Sequence, residues 1–382
     1  MKILIGGDLV PTESNKDWFE SGDIKSLLGQ ELITLLSDAD YRIFNLEVPL
    51  TDMVAPIEKC GPNLIAPTAT VAGIKAIGAN LVTLANNHIM DQGAQGLFST
   101  IQTLQKNEIA YVGAGENLQV AQKPFILEQS GCKIGVYACA EHEFSIADTD
   151  RPGANPFDPL ESLDHIAELK QQTDYVIVLY HGGKEHYRYP SPNLQKVCRK
   201  LVEKGADLVV CQHSHCIGCE EKWQNGTIVY GQGNFLFDHS KSEFWKTSLL
   251  IEMSVEDGVM LTYYPLKKRE NTVRFAQREE AEEILSAFCA RSAEIQEDGF
   301  VENSFAKLAQ AVNTHYISYM NPNTTKNICF KILNKISNGI LLQKYAQRKI
   351  NGRTMVPLRN FVECETHREL LVHILRKGSD QI

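Results

Sequence analysis

The stretch DLVVCQHSHCIGCEEK, residues 207–222, starts as a β-branched apolar run and ends in a knot of histidines and cysteines. A short run of that kind, bounded by polar residues, reads as a buried strand whose end carries chemistry. The same design recurs along the chain: KILIGGD (2–8), YRIFNLE (41–47), NLVTLANNH (80–88), KIGVYACAEHE (133–143), DYVIVLYHGG (174–183), ADLVVCQHSH (206–215) and GTIVYGQGNF (226–235). Between most of them lie amphipathic helical patterns at 26–39, 68–79, 96–107, 159–173 and 191–205. Strand alternating with helix predicts an α/β fold whose sheet is covered by helices on both faces.

Residues 247–275 alternate apolar and polar around a DG pair at 257–258, which predicts an antiparallel hairpin closing the core domain. From 277 onward the pattern turns helical and more charged. The expected organisation is a core domain over 1–276 and a helical appendage over 277–382 without a chemical motif of its own.

Composition narrows the function. With 382 residues, 43% of them hydrophobic, the chain can bury a large core. A net charge of −9 offers no basic surface of the kind that drives nucleic-acid binding, so no nucleic-acid partner is expected. The opening MKILIGGDLVPTES does not read as a signal peptide, and no long apolar window predicts a membrane span, so a cytoplasmic protein is expected. Ten cysteines without framework spacing read as reduced thiols. Cys211, Cys216 and Cys219 include a Cys-x-x-Cys pair, but no second pair stands at zinc-ribbon distance, so they too read as inert.

In open α/β sheets ligands bind outside the carboxyl ends of the strands. Asp8, Glu47, Asn87, His88, His181, His213 and His215 all fall there. A lone histidine at a strand end is ordinarily a satisfied polar group, but here several separate strand ends agree. Carboxylate oxygen, amide oxygen and imidazole nitrogen together suit a borderline divalent cation such as Mn, Fe or Zn. The spacing His213-x-His215 lets both rings face one site if the backbone stays extended there.

The motifs GGD (6–8), NLE (45–47), ANNHIMDQG (85–93), HGGKEHYRYPSPNLQ (181–195), HSH (213–215) and GQGNFLFD (231–238), taken in order, resemble the CapA family, named for poly-γ-glutamate capsule synthesis, of the calcineurin-like metallophosphatase superfamily. The resemblance runs from about residue 2 to 240 and into the hairpin. It implies a four-layer α/β/β/α sandwich with two metals at the sheet edge. By that resemblance Asp8, Glu47, Asn87, His181, His213 and His215 are metal ligands, with Glu47 where the superfamily has a bridging Asp. His88 stands in the place of its catalytic histidine, with Asp91 as orienting carboxylate. The superfamily's Asp-x-His reads Asp8-Leu9-Val10 here, so one nitrogen ligand is absent.

Glu141 and His142 end a strand on the same rim, and by the resemblance Glu185, Tyr187 and Asn234 stand at family positions near the site; these five are the expected substrate contacts. The resemblance implies a bacterial metal-dependent hydrolase, phosphoesterase-like, acting on an anionic small molecule, peptide or polymer in capsule or cell-surface metabolism. Two alternatives accompany it: a proton-transfer enzyme of epimerase type, with His88 and Glu141 as opposed bases, and a non-catalytic assembly subunit.

Overall fold

The computed structural model describes residues 1–237, 242–256, 258–320, 335–337, 340 and 352–379. Fifteen strands occur among them: β1 (Lys2–Leu9), β2 (Tyr41–Leu46), β3 (Leu81–Thr83), β4 (Ala110–Val112), β5 (Ala114–Gly115), β6 (Phe125–Gln129), β7 (Cys132–Ala140), β8 (Gly153–Ala154), β9 (Tyr175–His181), β10 (Leu208–Gln212), β11 (Glu220–Trp223), β12 (Gly226–Val229), β13 (Thr247–Val255), β14 (Val259–Arg269) and β15 (Thr272–Phe275). They form a seven-stranded sheet in the order β15-β14-β13-β1-β2-β3-β4 and a six-stranded sheet in the order β11-β12-β10-β9-β7-β6. A short β5–β8 pair stands apart.

Each sheet has a parallel core, β1 to β4 in one and β7, β9, β10 and β12 in the other. The period-two alternation of the second sheet shows how the layers stack. Val136, Ala138, Ile177, Leu179, Leu208 and Val210 join the first sheet's Ile3, Ile5 and Ile43 in one buried core. Their neighbours Tyr137, Val176, Val178, Tyr180, Val209 and Cys211 face the other way, onto Ile166 and Leu169 of helix Glu161–Gln172 and Leu194, Cys198 and Leu201 of helix Pro192–Glu203. On the far side of the first sheet, Leu32 and Leu36 of helix Gln30–Ser37 and Leu97 and Leu104 of helix Gly93–Lys106 complete the four layers. The expected α/β/β/α sandwich is the fold.

Local chemistry marks the helix starts. Ser191 caps Pro192–Glu203, its hydroxyl accepting from the Leu194 N–H at 3.1 Å, with Pro192 in the first turn where a missing N–H costs nothing. The pattern at 26–39 is broken: a four-residue turn, Ile24–Leu27, precedes Gln30–Ser37, because Leu28 is extended and Gly29 leads the second helix. The hairpin forms as β13 and β14, and β13 also pairs antiparallel with β1. Asp257 of its DG turn lies outside the described residues, as does Asp238 of GQGNFLFD.

The chain divides into two compact units, Met1–Ile57 with Asn63–Glu302, and Glu58–Pro62 with Asn303–Ile382. The first thus runs past residue 276 and takes in helix Arg278–Glu294. That helix is fastened to the sandwich: Arg291 Nε donates to the Gly218 carbonyl at 2.7 Å, Ser292 Oγ accepts from the Glu220 N–H at 2.7 Å, and Phe288 packs against Tyr263. The second unit includes helices Gly352–Glu363 and Glu365–Ser379, with Phe361 and His367 in ring contact. No helix among the described residues is long and apolar enough to cross a membrane.

Candidate metal centre

A bulge in β1 builds the first half of the site. The β1–β2 register shifts between Ile5 and Asp8, so that Asp8 stands opposite Asn45. Gly7 is where β1 meets the loop after β12: a Cβ on it would lie 1.9 Å from the Gly233 carbonyl oxygen. Only glycine permits that approach, which is why position 7 is glycine.

Asp8 Oδ2 lies 3.3 Å from His215 Nδ1, and Asn234 Oδ1 lies 2.8 Å from the same nitrogen. His181, the last residue of β9, has Nε2 3.1 Å from Asn87 Oδ1, 3.2 Å from His213 Nδ1 and 3.5 Å from Glu47 Oε1. Two donor groups emerge, Asp8–Glu47–His215 and Glu47–His181–His213, each with its ligand atoms within 4.8 Å of one another. Glu47 belongs to both. All six expected ligands are buried.

The histidines reach this geometry by a route other than the expected one. β10 stops at Gln212, and His213 and His215 take left-handed backbone conformations, φ +84° and +53°. An extended HxH is therefore not what converges the rings. Two side-chain-bearing residues held in that sparsely occupied region cost free energy that the surrounding packing has to overcome.

Electrostatics distinguish the groups. Burial, reinforced by His213, holds the His181 imidazole well below its ordinary value, and burial also lowers His213. For Asp8 burial works the other way, but the hydrogen bond and charge of His215 outweigh it and bring the carboxyl to about 2. The donor set fits a divalent cation: carboxylate oxygens, an amide oxygen and imidazole nitrogens converge in a buried space. Such atoms cannot face one another at these distances without a proton or a cation among them. Val10, at the position of the absent nitrogen ligand, is buried, and its N–H goes to the Leu236 carbonyl at 2.7 Å.

His88 Nδ1 lies 2.5 Å from Asp91 Oδ2. Of the expected substrate contacts, Glu141 lines a shallow recess together with Asn87, Glu143, His181, Gly182 and His213, and its Oε1 accepts from the Gly183 N–H at 3.1 Å. His88 and His142 do not line that recess. Glu185 is exposed, on the loop after His181, and Tyr187 packs edge-on against Tyr189. Asn234 holds His215 through the 2.8 Å contact given above.

Residues outside the expected set also belong here. Asn45 donates from Nδ2 to Asp8 Oδ1 at 2.8 Å and lies 3.2 Å from His181 Nδ1. Its position two residues before Glu47, at the end of β2, was the available signal. Trp245 and Phe237 pack on the His215 ring, and Trp245 Nε1 donates to His186 Nε2 at 2.7 Å. Phe237 falls within GQGNFLFD, whereas no local pattern marks Trp245 as a site residue. Cys216 and Cys219 are buried, with thiols pushed up by that burial, Cys216 to about 11, and Cys211 packs on the outer face of its sheet. The described cysteines form no disulfide, and these three remain structural.

A two-sheet α/β/β/α sandwich with such donors along its strand ends is of the metallophosphatase type. The family model for "Bacterial capsule synthesis protein PGA_cap" matches residues 2–239, and the chain belongs to that family. It is 30% identical over 248 residues to "Capsule biosynthesis protein CapA" of Bacillus anthracis, covering 62% of this chain and 60% of that one. It is 31% identical over 172 residues to "PGA biosynthesis protein CapA" of Bacillus subtilis (strain 168), covering 44% and 45%. The match thus spans about 60% or less of these relatives' length. Among solved structures, it is similar to a "novel phosphatase" from Mycoplasma pneumoniae, with 14% identity, a TM-score of 0.45, and 71% and 94% of the two chains covered. A hypothetical protein from Thermus thermophilus has 15% identity, a TM-score of 0.47, and coverage of 70% and 100%.

Proposed function

We propose that the chain is a metal-dependent hydrolase of phosphoesterase type, acting on an anionic substrate in capsule or cell-surface polymer metabolism. The observation that carries this reading is the sharing of Glu47 between two donor clusters, with the His88–Asp91 pair on the adjoining strand end. In this reading Asp8, Glu47 and His215 hold one ion, and Glu47, Asn87, His181 and His213 hold a second.

Asp8, Glu47, Asn87, His181, His213 and His215 would hold the divalent ions, which when bound would supply Lewis acidity toward a phosphoryl group. The chain's own residues do the rest. Asn234 holds the His215 ring, and Ser145 Oγ fixes the Asn87 backbone by donating to its carbonyl at 2.7 Å. Asp91 holds His88 at Nδ1, so proton delivery to a leaving oxygen falls to Nε2. Burial of all these groups excludes bulk water and strengthens each charge interaction.

Elemental analysis of the purified protein for Mn, Fe and Zn, beside His213→Ala, tests the reading. One to two ions per chain, diminished in the variant, with phosphate released from model phosphoesters and stopped by a chelator, is the expected result. Absence of bound metal after reconstitution would refute it.

A further inference from the structure

Behind the donor clusters lies a pair of fully buried amides, Asn45 on β2 and Asn86 after β3. Their orientation is dictated by neighbours of fixed polarity. The Asp8 carboxylate and the Leu46 carbonyl only accept, so the Asn45 nitrogen faces Asp8, at 2.8 Å, and the Asn86 nitrogen faces Leu46, at 2.9 Å. The His88 N–H only donates, so Asn86 Oδ1 faces it, at 3.1 Å. The two amides then join, Asn86 Nδ2 donating to Asn45 Oδ1 at 3.0 Å.

The result is one continuous chain of hydrogen bonds, Asp8–Asn45–Asn86–His88, across three strand ends. We infer that the Asn45–Asn86 pair is a positioning element, holding Asp8 of the first cluster in register with the Asn87–His88 segment, which carries a ligand of the second cluster and the proton donor. Neither asparagine is a ligand in the reading above, on which the inference rests; both act through the groups they hold. Groups that orient ligands typically matter about 10–100-fold in metal affinity. Exclusion from water makes each amide bond strong and its loss costly.

Mn²⁺ titration of the full chain by calorimetry tests this, with circular dichroism and melting of the metal-free protein as a check on folding. Asn86→Ala is expected to weaken Mn²⁺ binding about tenfold or more. Asn86→Ser, whose hydroxyl still accepts from His88 N–H but no longer reaches Asn45, keeps the local turn and is expected to show the same loss. In an Asn45→Ala background the loss from Asn86→Ala should be clearly smaller than in the wild type, because the bridge is already cut and only the Leu46 and His88 bonds are left to lose. A merely structural role lowers melting temperatures additively and leaves Mn²⁺ affinity unchanged. Affinity within about twofold of wild type in Asn86→Ser, or additive losses in the double variant, would overturn the inference and leave the metal reading intact. A wild-type chain that binds none of Mn²⁺, Fe²⁺ and Zn²⁺ would overturn both.

Discussion

The Asp91 carboxylate grips His88 from within the same turn, Oδ2 to Nδ1 at 2.5 Å, and the same oxygen accepts from the Leu64 N–H at 2.6 Å. The carboxylate is fully buried and fixed from two sides, so the ring it holds has a set plane and a set proton-bearing nitrogen. Asp91→Asn keeps the shape but takes away the charge that stabilises a protonated ring. On a phosphoester that the wild type hydrolyses, kcat is expected to fall about 10²-fold or more, with metal content unchanged. Equal turnover in the variant would remove Asp91 from the mechanism.

Because Glu47 is common to both donor clusters, one substitution there acts on two sites. Glu47→Gln should empty both, whereas His215→Ala should leave the Glu47–His181–His213 cluster able to hold an ion. The count is read by elemental analysis. In a melting experiment, added Mn²⁺ at about a hundred times its dissociation constant should stabilise the wild type by about 2.7 kcal/mol per site and Glu47→Gln by almost nothing.

Gly7 meets the Gly233 carbonyl where β1 passes the loop after β12, and a methyl group has no space there. Gly7→Ala is expected to destabilise the fold by about 3 kcal/mol, since the obstacle is backbone and not a movable side chain. Urea denaturation measures this. A loss below about 0.5 kcal/mol would mean that the β1 bulge can shift freely.

Asp40 ties the start of β1 to the second sheet: its oxygens accept from the Lys2 N–H at 2.7 Å and from Gln129 Nε2 at 2.8 Å. These two bonds, the backbone one first, hold its carboxyl below the usual value. A depressed folded-state pKa adds stability that is complete above the unfolded-state pKa and disappears as pH falls through the folded one. Asp40→Asn is therefore expected to cost about 1 kcal/mol at pH 7 and to lose less on acidification below about pH 4 than the wild type does. Parallel acid titrations of stability would show the two curves drawing together; a constant gap would contradict the assignment.

Much of this protein is determined by its sequence alone. Apolar β-branched runs ending in polar clusters specify parallel strands with chemistry at their carboxyl ends, and the 247–275 alternation specifies the hairpin, because side-chain period reports local burial. Seven strand-end residues, Asp8 to His215, are legible on those grounds. Tertiary structure decided the rest. Asp8 and His215 meet across 207 positions, Glu47 is shared because two sheets pack face to face, and HSH converges through left-handed backbone that no periodicity reveals. Asn45 and Asn86 look like ordinary polar residues near strand ends until both sheets bury them. The physical reason is the same in each case: burial pattern is a property of neighbours along the chain, whereas the partner of a buried polar atom depends on which distant segment is packed against it.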